Sequence, residues 1–107
     1  MAQPVPGQPV RGSKSGQPIM ALFDLLSRSW AMGIIWNLSK GPCNFRHLQE
    51  RCETVSPTTL NTRLKELTIA FIIERTEDGY CLTKAGKALF DLLFPVGKWA
   101  KNWAKKF

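Results

Sequence analysis

From Pro18 onward, apolar side chains recur every three or four positions, briefly every two, and then every three or four again. Ile19, Leu22, Phe23, Leu25 and Leu26 predict a short amphipathic helix, with Pro18 in its first turn, where a missing N–H is no loss. The stretch over residues 30–38 (Trp-Ala-Met-Gly-Ile-Ile-Trp-Asn-Leu) is apolar on nearly every side and predicts a helix at the centre of a core. Lys40-Gly41-Pro42 stops it. Phe45, Leu48 and Cys52 mark one face of a third helix behind Asn44, a good N-cap. Ser56-Pro57 opens a fourth: serine caps, proline takes the first helical position, and Leu60, Leu64 and Leu67 face inward.

The period then drops to two. Residues 72–76 predict a strand, Glu77-Asp78-Gly79 a tight turn, and Tyr80-Cys81-Leu82 the returning strand. Thr83 caps another helix with Leu89, Leu92 and Leu93 inward, broken near Pro95 because proline lacks the N–H and its ring clashes with the preceding turn. A final helix over residues 96–107 spaces Trp99, Trp103 and Phe107 by four. The fold class is therefore mainly α with a small antiparallel β-hairpin. Two helices joined by a short turn, with a hairpin soon after the second, describe a winged helix-turn-helix domain over residues 18–107.

Residues 1–17 break the pattern. They hold three prolines, three glycines and three glutamines, a composition that cannot bury enough apolar surface to offset ordering entropy, and they predict a disordered basic tail. The whole chain of 107 residues carries 15 Lys+Arg against 8 Asp+Glu, a net +7 that points to an anionic partner. Most of this charge is terminal: residues 1–17 contribute +2 and residues 98–107 contribute +4, leaving +1 for the rest. Charge alone thus locates no binding face.

The outward residues of the fourth helix do. Ser56, Thr58, Thr59, Asn61, Thr62, Arg63 and Lys65 can meet double-stranded DNA, with Arg46 from the helix before and Arg75 from the wing. Asparagine bonds adenine N6 and N7, threonine meets a thymine methyl or a phosphate, and Arg63 and Lys65 neutralise phosphates or read guanine. No acidic residue lies between Thr54 and Lys65, and short hydroxyl residues form helices poorly, so an ordinary solvated surface is a poorer account of this face. The wing is locally acidic through Glu74, Glu77 and Asp78. Either Arg75 and Thr76 touch DNA with the carboxylates turned away, or the hairpin only completes the fold. A winged-helix module that binds protein instead of DNA is the alternative from another class.

Other chemistries find little support. Cys43-x₃-His47 with Cys52 nearby suggests zinc, but Cys52 falls on the inward face and no fourth ligand is evident, so no metal and no cofactor are expected. Cys43, in a loop beside Lys40 and Arg46, is a candidate reactive thiol for redox sensing. One histidine, no G-x-S-x-G and no phosphate-binding loop argue against catalysis. No apolar run approaches the roughly 20 residues of a membrane-spanning helix, no signal peptide is evident, and three cysteines without a CxxC pair suit the cytoplasm. The aromatic and lysine faces of the last helix would suit a membrane surface, but a dimer helix whose aromatics pack on a partner chain is the simpler reading. A large pocket inside so small a core is difficult, so any small-molecule effector, of unknown identity, is expected at the dimer interface.

Residues 17–99 resemble the HxlR-type transcriptional regulators, winged-helix relatives of the MarR group. The resemblance runs through Leu25-Leu26-Ser27-Arg28-Ser29-Trp30, Gly41-Pro42-Cys43-Asn44-Phe45-Arg46-His47-Leu48 and Val55-Ser56-Pro57. It continues through Leu60, Arg63-Leu64-Lys65-Glu66-Leu67, Glu74-Arg75 and Tyr80-Cys81-Leu82-Thr83-Lys84-Ala85-Gly86. Similarity to that family implies a homodimer on a pseudo-palindromic operator, paired through the first and last helices, here Leu22 and Phe23 with Trp99, Trp103 and Phe107. Three positions depart from the family's pattern. Gln17 stands where a sensing cysteine is common, Thr58 where a basic residue often follows Ser-Pro, and Phe71 where a glycine ends the recognition helix, which predicts a different exit from it.

Overall fold

The computed structural model describes residues 2–107. Five helices and one hairpin follow in order: α1 (Pro18–Leu26), α2 (Ala31–Leu38), α3 (Phe45–Arg51), α4 (Pro57–Ile69), β1 (Ile73–Thr76), β2 (Gly79–Leu82) and α5 (Lys84–Ala104). The predicted caps are made. Asn44 accepts from His47 N–H at 2.8 Å, Ser56 from Thr59 N–H at 3.1 Å and Thr83 from Gly86 N–H at 3.0 Å. Each satisfies a donor that the first helical turn leaves without a partner.

The core lies where α2, α3, α4 and the hairpin meet. Ile34, Ile35, Leu48, Leu60 and Leu67 are wholly buried there, with Leu64, Ile73 and Leu82 against them. α1 and α2 meet at 87°, turned by Trp30 in a left-handed conformation. The apolar stretch over residues 30–38 buries only one stripe, Ala31, Ile34, Ile35 and Leu38, while Met32 and Trp36 reach the surface. β1 and β2 pair antiparallel from Ile73 opposite Leu82 to Thr76 opposite Gly79, so the loop is two residues, Glu77-Asp78, one fewer than predicted. A bridge between Cys43 and Tyr80 ties the hairpin to the loop before α3. Gly79 is required there: its φ is +113°, and a Cβ would stand 2.7 Å from the Cys43 carbonyl.

Four expectations are corrected. The predicted disordered tail is a strap folded over α1 and α4, with Pro4 buried, Gln3 Nε2 donating to Glu66 O at 3.0 Å and Arg11 N–H donating to Asp24 at 3.2 Å. α5 does not break at Pro95 but runs through it for 21 residues. Trp36 of α2 holds the two halves in line: it packs on Phe90 and Phe94 before the proline, at ring distances of 5.3 and 6.3 Å, and lies against Gly97 after it. Of the leucines expected inward on α5, Leu92 is exposed.

Phe71 supplies the fourth correction. It adopts φ +64°, the conformation a glycine would take, with Phe71 N–H donating to Thr68 O and Ile72 N–H to Leu67 O, both at 3.0 Å. These two bonds form a complete Schellman ending, so the exit from α4 is of the glycine type despite the side chain. A left-handed non-glycine residue costs about 1–2 kcal/mol, tolerated here because both bonds and the docking of β1 over-determine it. Among the described residues no single helix is long and apolar enough to cross a membrane.

Candidate nucleic-acid interface

α4 turns Thr58, Asn61, Thr62 and Lys65 to solvent, while Leu60, Leu64 and Leu67 hold its other face on the core. Asn61 and Lys65 are one helical turn apart and line a depression of about 400 Å³ between α4 and the hairpin. Arg75 and Tyr80 line the same depression from the strands, with the Arg75 guanidinium 5.5 Å from the Tyr80 ring centre. Cation–π contact steadies a long side chain that would otherwise sample many rotamers. Two cations and an amide thus converge from two elements on one concave strip. Glu74, the neighbouring wing carboxylate, instead lines a separate cleft between the hairpin and α5.

The other expected residues divide. Thr59 and Ser56 are engaged with each other at the helix start, their hydroxyls 3.0 Å apart, and Ser56 is consumed as the cap. Thr62 Oγ1 donates to Thr58 O at 3.0 Å, which leaves its methyl and a hydroxyl lone pair outward. Arg46 is exposed on α3 and meets Glu50 at 3.4 Å, an open surface pair that constrains little.

Arg63 does not join the outward face. Its Nε donates to Ser29 O at 2.8 Å and its Nη1 meets Glu66 at 2.9 Å, so it clamps α4 to the corner between α1 and α2. The helical spacing carries this: Arg63 stands three residues after Leu60 and four before Leu67, on the buried side. Arg28 is the partner that pattern reading overlooked. Its side chain is 1% exposed, pairs with Glu66 and, at 3.5 Å, with Asp24, and donates to Ala2 O at 2.7 Å. A buried guanidinium is stable only when carboxylates and carbonyls surround it, and here α1, α4 and the strap each supply one.

Cys43 is corrected as a reactive thiol. It is buried at 2% exposure, and burial pushes its pKa up, with Glu50 adding to the rise and Arg51 opposing it. Burial likewise raises Cys52, and Cys43 adds to it. Only Cys81, between the hairpin and α5, is partly open. Native protein treated with iodoacetamide near pH 8 should therefore take up one label per chain, at Cys81, and three after unfolding. Rapid labelling of Cys43 in the folded protein, located by peptide mass, would contradict this burial. Among the described residues no group of His, Cys, Asp and Glu is placed to hold a metal.

Most of the exposed large apolar residues gather on α1, on α5 and just past its end, while Val5, Met32, Trp36, Ile69 and Phe71 are exposed elsewhere. Ile19 and Phe23 stand out from α1, and Leu92, Phe94, Val96, Trp99 and Trp103 from α5, with Phe107 just beyond its end. Trp99 and Trp103 stack at 5.9 Å and Phe107 meets Trp103 edge-on at 5.2 Å, an aromatic ladder open to solvent. Leu22, the other expected pairing residue, is half-buried and faces the strap.

Comparison with known proteins places this architecture. Residues 25–107 match the HxlR-like helix-turn-helix family. The HTH-type transcriptional regulator YvaP of Bacillus subtilis is 32% identical over 87 residues, covering 75% of this chain and 81% of that protein. The quinone-bound YodB structure from the same organism is 35% identical, with a TM-score of 0.68 over 83% of this chain and 97% of that one. The structure of a possible HxlR family transcriptional factor from Thermoplasma volcanium is 26% identical, with a TM-score of 0.73 over 83% of this chain and 86% of that one. These relatives are transcriptional regulators, not enzymes.

Proposed function

The chain belongs to the HxlR-like helix-turn-helix family of transcriptional regulators, and we propose that it acts in the cytoplasm as a homodimer reading a pseudo-palindromic DNA operator. The observation that carries this reading is the convergence of Asn61 and Lys65 of α4 with Arg75 of the wing on one concave strip. α4 enters the major groove, where Asn61 reads adenine and Thr58 and Thr62 offer methyl and hydroxyl contacts. Lys65 and Arg75 take the flanking phosphates, so the acidic wing reaches DNA through its one cation. Arg63 contributes indirectly, by fixing the angle at which α4 leaves the body.

The apolar faces of α1 and α5 supply the dimer contact. A ladder of Trp99, Trp103 and Phe107 left in water is a large exposed apolar patch, and pairing with its own copy is the commonest way such a patch is covered. Two α4 helices would then reach successive major grooves, roughly 34 Å apart.

Selection of genomic fragments by the purified protein, followed by sequencing, tests the reading. A palindromic site with half-sites about one helical turn apart is the expected result. On that site, Lys65→Ala should weaken binding evenly across sequences and flatten the salt dependence by about one counterion, whereas Asn61→Ala should lose about 1–3 kcal/mol and relax discrimination at one base pair. Normal operator binding by the double variant would overturn the interface. Absence of any enriched fragment, with salt-insensitive retention of other proteins, would favour the protein-binding alternative.

A further inference from the structure

Beneath the strap lies a cavity of about 310 Å³ that the DNA-binding reading does not use. Its walls come from three parts of one chain: Pro4 and Val5 of the strap, Ala21 and Leu25 of α1, and Ile69 and Phe71 at the exit of α4. Of the twelve residues lining it, only Gln3 has a polar side chain and none is charged. The strap precedes the part of the chain that matches the family, residues 25–107, so this roof belongs to the chain's own N-terminal segment. We propose that the cavity is a binding site for one small, uncharged, aromatic or alicyclic molecule.

The chemistry of the walls selects that occupant. An ion would lose its hydration with no opposite charge to meet it, a cost of several kcal/mol, which excludes charged ligands. Water gains little in a space that lacks two to four polar partners. An apolar cavity of about 150 Å³ holds a benzene ring, and this one is about twice that size and open at its rim, suited to two or three fused or linked rings. Gln3 donates its amide N–H to Glu66 O at 3.0 Å, so its amide oxygen is the one side-chain acceptor available to a ligand hydroxyl or N–H.

The rim explains an oddity of the backbone. Phe71 lines the cavity yet remains 78% exposed, and it keeps a left-handed conformation that a glycine would hold without strain. Ile69, also lining and 60% exposed, stands beside it. Both side chains border the opening, where an apolar molecule would cover them. A ligand there would rest on the end of α4 and against the strap residue that bonds Glu66.

Titration of the full chain with N-phenyl-1-naphthylamine, an uncharged dye that brightens in apolar surroundings, tests the site without DNA, so its outcome is independent of the operator reading. Saturation at one dye per chain is expected. Ala21→Leu and Ala70→Leu, which fill the cavity from two different walls, should each weaken the dye at least tenfold while circular dichroism stays that of the parent. Trp103→Ser, on the exposed aromatic ladder, should leave the tight site unchanged. Dye affinity unaltered in both folded filling variants, or lost in Trp103→Ser, would overturn the proposal. If one filling variant fails to fold, the other decides alone.

Discussion

Gly86→Ala should destabilise the domain by more than about 3 kcal/mol. An added Cβ would stand 2.0 Å from Ile72 O and 3.1 Å from its carbonyl carbon, far inside van der Waals contact. That carbonyl cannot step aside, because it accepts from Thr83 N–H at 3.0 Å and from Thr83 Oγ1 at 3.1 Å, the residue that caps α5. Helix propensity favours alanine by about 1 kcal/mol, so the sign rests on the clash, and the clash is the larger effect. Urea unfolding followed by circular dichroism measures it. Gly97→Ala is the internal comparison: its Cβ meets only the edge of the Trp36 ring at 3.0 Å, and its cost should be clearly smaller. Equal stability of Gly86→Ala and parent would mean that α5 does not approach Ile72 this closely.

Glu66→Ala carries the second large effect, a loss of about 3–5 kcal/mol. Glu66 accepts from Arg28, whose side chain is 1% exposed, and from Arg63 at 2.9 Å. Removing the carboxylate leaves Asp24 as the one carboxylate on a buried guanidinium and frees Arg63 to turn outward. The loss is mostly the penalty of a buried charge short of partners, so the double variant Arg28→Met with Glu66→Leu should recover much of it. Denaturant midpoints of the parent and the two variants decide the matter. A Glu66→Ala change below about 1 kcal/mol would mean that water reaches Arg28. Because the cluster joins the strap, α1 and α4, Glu66→Ala should also weaken any contact that depends on the angle of α4, even though Glu66 faces away from the concave strip.

The features legible in the sequence are those with local causes. Ser56 followed by Pro57, Asn44 before Phe45 and Thr83 before Lys84 each place a helix start, because a short side chain and the backbone N–H it accepts from are only three residues apart. Leucines spaced by three and four turn α4 correctly, which exposes Asn61 and Lys65 as expected. The change to period two marks the hairpin and, with the helices before it, the winged architecture. Arg63 was also within reach of the pattern, since its spacing from Leu60 and Leu67 puts it on the buried side.

Tertiary structure decided whatever depends on partners distant in the sequence. Composition alone left residues 2–17 without a reason to order. The reason is the buried Arg28 and the backbone of Glu66, which bind Ala2 O and Gln3 across 26 and 63 residues. Proline ends a helix unless something holds both halves, and Trp36, from α2, does so for α5. Cys43 looks exposed and basic in the chain, but its bridge to Tyr80 draws it into the core. Arg75 gains its place beside Lys65 only when the hairpin folds back on α4. Caps and periodicity act within one or two turns of helix, so the sequence alone determined the elements and their faces. Burial, charge pairing and cavities arise where separate elements meet, and those the three-dimensional packing alone could determine.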